Sequence, residues 1–369
     1  MKIKKPKVSM NAAVISLGSV SSKWTLEAME KYFDKVDKID IRELEVKLGG
    51  KKIEVLYKNE PLGEYDCIYA KGSHKYAQIL RAITAAYSKS CYMPIVSSAF
   101  TLGHNKLLTQ MKLQELGIPM PLAYLTPTTA AAKKLLKAIN YPIVMKFPEG
   151  THGKGVMFAD SFASANSMLD ALTTLNQPFI IQEYVETGGS DIRAFVIGDK
   201  VVASIERKAD VEEKRANIHS GGSAEPIELD SHTKKIAVRA SQALGCGISG
   251  VDLLLGVKGP MIIEINLSPG LQGISKATNL NIADKIAKHL YENAAKLKLE
   301  RESKVKTSDI LNECGIDTDF DAPKEIITNL SIRGKRIVLP EIITNLSDFD
   351  EKNEVVIHAK KGRVIINKF

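Results

Sequence analysis

The stretch MIIEINLSPGLQG, residues 261–273, constrains the chain most tightly. It reads as an apolar strand, yet Glu264 and Asn266 stand two apart in it, and side chains two apart on a strand share a face. Just upstream, GVDLLLG places Asp252 at the head of a second apolar strand, and Gly259-Pro260 turns one segment into the other. Pairing the two strands antiparallel brings Asp252 close to Glu264 and Asn266. Two carboxylates and an amide oxygen gathered in a pocket are a donor set suited to Mg²⁺, with water and phosphate oxygens filling the remaining positions.

A second constraint lies upstream of that hairpin. Lys146 sits inside the apolar strand YPIVMKF, where a lysine needs an anionic partner or an escape to the surface. It precedes EGTHGKGV (149–156), whose Gly150, Gly153 and Gly155 let backbone N–H groups approach phosphate oxygens. That loop is neither a Walker A motif nor a dinucleotide fingerprint, and taken alone it reads equally as a flexible turn.

The chain has 369 residues, enough for two or three domains. Residues 12–95 alternate strand-like and helix-like segments, with a hairpin about Gly49-Gly50 and a helix over YAQILRAITAAYS. TLGHNKLLTQMKLQELGIPMP reads as one helix ended by Gly117 and Pro119. Residues 140–300 form a larger α/β unit with a hairpin about Gly198-Asp199. Its last helix places Ile282, Ile286, Leu290 and Ala294 on one stripe. From about 296 to 325 the sequence turns charged and weakly patterned, which predicts a linker. The last 45 or so residues differ again: EIITNLS occurs at 325–331 and 341–347, and NEVVIHAKKGRVIINKF reads as two strands about a Lys-Gly turn.

Four dispersed cysteines without a C-x-x-C pair fit a reducing compartment and argue against a thiolate metal site. The basic opening leads into an apolar run that is short and interrupted by Ser and Gly, so a first β-strand is expected there rather than a signal peptide. No stretch approaches the ~20 apolar residues of a membrane span, and a cytoplasmic location without membrane contact is expected. A net charge of +8 suits anionic partners without selecting one.

Lys146, the glycine loop, IIQEYVE, SDIRAFVIGDKVVASIERKA, KRANIHSGG, GVDLLL and IEINLSPGLQGI occur in the order of the ATP-grasp fold. Specifically, the chain resembles the RimK-type glutamate ligases over roughly residues 10–295. The resemblance implies an α/β ATP-grasp architecture: a pre-ATP-grasp domain (1–95), a central lobe with the glycine loop (96–180) and a C-terminal lobe with the Mg²⁺ site (181–300). A linker (301–325) and a small β module (326–369) would follow. ATP and Mg²⁺ are the implied cofactors, two ions being expected, with Mn²⁺ as a substitute.

Residue by residue, the resemblance makes Lys106 and Lys146 the nucleotide lysines, and Gly150, Thr151, His152, Gly153, Lys154 and Gly155 the phosphate loop. His152 stands where the family carries a small polar or amide residue. Gln182, Glu183, Tyr184 and Val185 would read the adenine edge, with Asp191 nearby. Arg215 and Asn217 would lie beside the transferred phosphate, and Asp252, Glu264 and Asn266 would ligate Mg²⁺. Arg193 and Arg207 would clamp a substrate carboxylate, or else form surface ion pairs. Ser268 and Gly270 would shape the amino-acid pocket together with Asn266.

The implied reaction joins a carboxylate, activated as an acyl phosphate, to an amine. Glutamate is the expected amino acid, and a protein tail, a carrier protein or a small molecule the acceptor. The tail from Ile332 resembles the AbrB-like swapped-hairpin module, which implies a dimerising handle and homo-oligomers. DNA contact through Arg333, Lys335 and Arg336, or Lys360, Lys361 and Arg363, is less favoured. The competing reading, a nucleotide-sensing DNA-binding regulator, is disfavoured because Asp252, Glu264, Asn266 and Arg215 are all retained.

Overall fold

The structure, a computed structural model, describes residues 8–149, 155–208, 223–313, 331–334, 336–339, 343, 354–360 and 363–368. The chain divides into two compact units, Met1–Lys304 and Val305–Phe369.

The first unit opens with β1 (Asn11–Ser16), α1 (Val20–Met29), β2 (Lys35–Asp40), β3 (Leu44–Lys47), β4 (Glu54–Tyr57), β5 (Glu60–Pro61), β6 (Cys67–Ala70) and α2 (Ala77–Tyr87). β1 is buried along almost its whole length, as expected of a strand covered on both faces. It is the centre of a parallel sheet ordered β2-β1-β6. β3, β4 and β5 form a separate antiparallel sheet that contains the expected hairpin. α1 begins at Val20, where the Ser19 hydroxyl accepts the Ser22 N–H and caps it.

There follow α3 (Ala99–Leu102), α4 (Lys106–Glu115), β7 (Ala123–Tyr124), α5 (Thr129–Ala138), β8 (Ile143–Lys146), β9 (Val156–Ala159), α6 (Phe162–Thr174) and β10 (Ile180–Glu183). The single helix expected across Thr101–Leu116 is broken in two. Asn105 is extended, and its side-chain oxygen accepts the N–H groups of Leu107 (3.0 Å) and Leu108 (3.1 Å), so α4 starts afresh at Lys106. Gly103 is packed so tightly that an added Cβ would lie 2.9 Å from Leu267. The antiparallel sheet β7-β10-β8-β9 is covered by α5 and α6, with Leu136, Leu169, Ile143 and Met145 in its core.

The unit's last part holds β11 (Ser190–Ile197), β12 (Lys200–Lys208), β13 (Ser223–Pro226), α7 (Ser231–Ala243), β14 (Ile248–Gly256), β15 (Gly259–Asn266), α8 (Gln272–Thr278) and α9 (Ile282–Glu313) as far as Lys304. The strands make an antiparallel sheet ordered β13-β12-β11-β14-β15. Ile192, Ala194 and Val196 face α7, while Phe195 and Ile197 join Ile282, Ile286, Leu290 and Ala294 of α9, the predicted stripe. That second core also takes in Ala12, Val14 and Tyr69, so the parallel sheet and the large antiparallel sheet are packed together. The expected linker is helical through Glu313, since Ala, Leu, Lys and Glu are good helix formers even without an apolar face.

In the second unit β16 (Ser331–Arg333) pairs antiparallel with β17 (Arg336–Val338), and β18 (Val355–Lys360) with β19 (Arg363–Lys368), the latter being the predicted terminal hairpin. The EIITNLS repeats lie outside the described residues apart from Ser331 and Ile343.

Candidate active site

The β14–β15 hairpin sets Asp252 directly across from Glu264 and Gly250 across from Asn266, and the ladder shifts register just after Asp252. Such a bulge re-aims the side chains beside it. The expected trio is therefore assembled, and the Asn266 amide donates to Asp252 Oδ2 at 3.1 Å.

Asp252 is already held, however. Arg193, its cross-strand neighbour on β11, donates from Nε and Nη2 to both carboxylate oxygens at 2.7 Å. Arg207 on β12 grips Asp191 in the same two-pronged way (2.6 and 2.8 Å) and reaches Asp252 Oδ2 at 3.1 Å. Arg193 and Arg207 are thus not open clamps for a substrate carboxylate. They are ion-paired, and in a buried network rather than at the surface. Burial works against the charge on Asp252, but the two guanidinium groups outweigh it and hold its carboxyl low. Asp191, expected near the nucleotide, is a member of this quartet. Burial, with the neighbouring Asp252, pushes its pKa up to about 6 against the pull of Arg207.

Glu264 differs from Asp252. Its carboxylate has no hydrogen-bond partner among the described residues, and burial and the neighbouring Asp252 push its pKa up. Lys106, Arg193 and Lys146 oppose that rise, so all three face it electrostatically. Lys146 ends β8, is 6% exposed, and has its pKa lowered to about 8 by burial and by Lys106. Lys106 is the first residue of α4, and its N–H donates to the Pro148 carbonyl at 2.8 Å, which ties it to the start of the glycine loop. The two expected nucleotide lysines therefore converge on the expected metal-binding glutamate. A divalent cation fits this place. Glu264 is a half-buried carboxylate without a hydrogen-bond partner among the described residues, and the oxygens of Asn266 and Asp252 adjoin it.

On β10, Gln182 is buried with its side-chain oxygen unpaired, whereas Glu183 pairs with Leu122 through both its N–H and its carboxylate. Tyr184 lies edge-on to Phe158, with ring centroids 6.0 Å apart, and Val185 contacts the turn at Gly256. At Gly155, φ is +80° and an added Cβ would sit 2.2 Å from Phe147, so only glycine closes the loop onto β9. Ser268 Oγ accepts the Gly72 N–H at 3.0 Å, and Gly270 is exposed. Gly150, Thr151, His152, Gly153, Lys154, Arg215 and Asn217 lie outside the described residues, as do Lys335 and Lys361 of the tail.

Sequence reasoning missed three polar residues near this site, the buried Lys71 and the half-buried His74 and His104. Burial and His74 lower the His104 pKa to about 4, and the buried His74 Nδ1 and His104 Nε2 have no hydrogen-bond partner. The signal for Lys71 was the one that flagged Lys146, a lysine directly after an apolar strand.

A three-stranded parallel domain beside two sheets with lysines and carboxylates between them defines an ATP-grasp protein. Residues 103–290 match the RimK-like ATP-grasp domain, and the chain belongs to that family. It is 34% identical over 279 residues to the probable alpha-L-glutamate ligase of Trichodesmium erythraeum (strain IMS101), covering 75% of this chain and 93% of that one. To the protein of the same description from Legionella pneumophila (strain Corby) it is 42% identical over 200 residues, 54% of this chain and 66% of that one. Among solved structures, the ATP-grasp ligase PsnB complexed with minimal precursor, Mg and ADP gives a TM-score of 0.61 at 17% identity, covering 77% of this chain and 98% of that one. The D-alanine–D-alanine ligase of Bacillus anthracis gives 0.55 at 17% identity, covering 79% and 100%. Both likenesses are of fold.

Proposed function

We propose that the protein is an ATP-dependent carboxylate–amine ligase of the RimK type, with L-glutamate as its amino acid. The observation that carries this reading is the convergence of Lys106 and Lys146 on Glu264, beside Asp252 and Asn266, in a chain whose relatives are described as probable alpha-L-glutamate ligases.

A carboxylate oxygen attacks the γ-phosphorus of ATP, the bond to the β-phosphate oxygen breaks, and an acyl phosphate and ADP result. The amine then attacks the acyl carbon, loses a proton, and phosphate leaves with the C–O electrons. No side-chain nucleophile is needed, so the protein's work is positioning and charge neutralisation. Lys146 remains largely protonated at pH 7, and a bound phosphate would hold its proton more firmly. Glu264, Asn266 and Asp252 would hold Mg²⁺, which neutralises phosphate oxygens when bound. The Arg193–Asp252–Arg207–Asp191 network ties β14, which carries Asp252, to β11 and β12. Arg215 and Asn217 are assigned to the transferred phosphate by resemblance.

The net charge of +8 favours an acidic acceptor. Among the described residues no helix is long and apolar enough to cross a membrane, and we assign the protein to the cytoplasm. Homo-oligomers are supported by the second unit, where Ile332, Ile337, Ile357 and Val364 are each more than half exposed. Two-stranded hairpins that expose such side chains are marginal alone.

The test is to incubate the protein with MgATP and single amino acids, with and without cell-extract acceptors, and measure ADP and phosphate by coupled assay and products by mass spectrometry. Glutamate-dependent release that disappears in Glu264→Ala is expected. Tight ATP binding with no turnover under any amino acid or acceptor overturns the reading.

A further inference from the structure

Lys71 follows the last residue of β6 and is 4% exposed. Its ammonium has no hydrogen-bond or ion-pair partner among the described residues, and it lies over the Tyr69 ring, 5.5 Å from the centroid. The Tyr69 hydroxyl is also buried without a partner. An unpaired ammonium on a side chain only 4% exposed, beside a buried unpaired hydroxyl, calls for an explanation by a ligand or ion.

Their position in the fold supplies one. Open parallel α/β sheets bind ligands outside the carboxyl ends of their strands, at the point where the strand order reverses. In β2-β1-β6 that point lies between the ends of β1 and β6, and Lys71 stands there, its N–H donating to the Ile15 carbonyl at 2.9 Å. The neighbouring Gly72 N–H donates to Ser268 Oγ, and Leu271 N–H donates to Ser21 Oγ at the start of α1. The segment after β15 is therefore fastened against this crevice. Ser268 is two residues beyond Asn266, at most about 7 Å of extended chain.

The place is nevertheless electrically separate from the phosphate side. Lys146 feels Lys106 and Glu264, whereas the perturbation at Lys71 comes from burial alone. Arg193 and Arg207, the side chains expected to grip a substrate carboxylate, are consumed by Asp252 and Asp191. A cation is thus left for the amino acid on the non-phosphate side of the site.

We propose that Lys71, with Ser268 and the backbone ends of β1 and β6, forms the subsite that binds a carboxylate of the amino acid joined by the ligase. This deepens the ligase reading and rests on it. Lys71 anchors the carboxylate, and the amine projects toward Asn266 and the acyl phosphate. A charge-assisted hydrogen bond of this kind is lost in Lys71→Met and retained in part in Lys71→Arg.

The experiment measures KM for L-glutamate and for ATP in the wild type, Lys71→Met and Lys71→Arg. It adds calorimetric titration of L-glutamate in the presence of ADP and Mg²⁺, with circular dichroism to confirm folding. We expect Lys71→Met to raise KM for glutamate about 10- to 100-fold and weaken binding in parallel. KM for ATP should stay within twofold, and Lys71→Arg should recover part of the loss. A glutamate KM and affinity within twofold of wild type overturn the subsite. So does a fall in kcat with an altered pH profile and unchanged KM, which would make Lys71 a proton acceptor instead. If the wild type turns over no amino acid, the ligase reading fails separately. Glutarate titration then decides: heat lost in Lys71→Met supports an anion site, and equal heats overturn it.

Discussion

Lys71 also makes a prediction that needs no turnover. In the ligand-free protein its charge is held on a buried side chain without a counter-ion among the described residues, so Lys71→Met should be more stable than the wild type at pH 7. Burial lowers its pKa from 10.5 to about 8. A displacement of roughly 2.5 pH units at about 1.36 kcal/mol each is a penalty of up to about 3.4 kcal/mol. Methionine fills nearly the same volume but gives up the cation–π contact with Tyr69, worth about 1 kcal/mol. The net gain is about 2 kcal/mol. For a unit of 304 residues, with an unfolding entropy of about 2.1 cal/mol/K per residue, that raises Tm by about 3 °C. The sign with pH follows from the direction of the shift. Below about pH 8 the lysine is protonated in both the folded and the unfolded chain, and the penalty is constant. Between about 8 and 10.5 the unfolded chain keeps a proton that the folded one has lost, so the wild type gains stability as pH rises. The advantage of Lys71→Met should therefore be largest at pH 7 and fall by more than half by about pH 10. Urea titrations at both pH values measure it. A variant less stable than the wild type at pH 7, or an advantage that does not change with pH, refutes the claim that the ammonium is buried and uncompensated.

Arg207→Met should destabilise the protein by about 3–5 kcal/mol, because it strands the carboxylate of Asp191 and leaves Asp252 to Arg193 alone. Adding Asp191→Leu should restore part of that loss, as read from urea midpoints. Glu264→Gln should leave the ligand-free protein as stable as the wild type or more so at pH 7, since burial and Asp252 already disfavour its charge. Glutamate-dependent ADP release should nevertheless fall on the order of 10²–10³-fold. Asn105→Ala should cost about 1 kcal/mol by uncapping α4. Because the cap sets the position of Lys106, it should also raise KM for ATP several-fold, with KM for glutamate little changed.

What was legible in the sequence was whatever one strand's pattern fixes by itself. Period-two alternation puts Glu264 and Asn266 on one face, and a reversal between the two apolar runs brings Asp252 to meet them, although the turn is made by Val257 and Lys258 while Gly259 and Pro260, expected to form it, already pair with Gly256 and Leu255. An apolar strand interrupted by Lys146 announces a buried cation without saying which neighbour it faces. The breaks and the partnerships were not legible, because they are settled by other segments. Asn105 interrupts an otherwise acceptable helical run only because its side chain finds the Leu107 and Leu108 N–H groups, while Leu267 presses on Gly103. Arg193 and Arg207 look like substrate clamps until the register of β11 with β12 and β14 sets Asp191 across from Arg207 and Asp252 across from Arg193. Those pairings commit both arginines to the protein itself. A pocket for an acidic amino acid then needs another source of positive charge, and Lys71, buried and without an ion-pair partner among the described residues, lies on a different sheet, at the end of β6. Its identity could not be had from residues 140–300 alone, dense as their motifs are. It depends on the parallel sheet bringing the end of β6 against the Ser268 segment, where Gly72, next to Lys71, bonds Ser268 across 196 positions of chain.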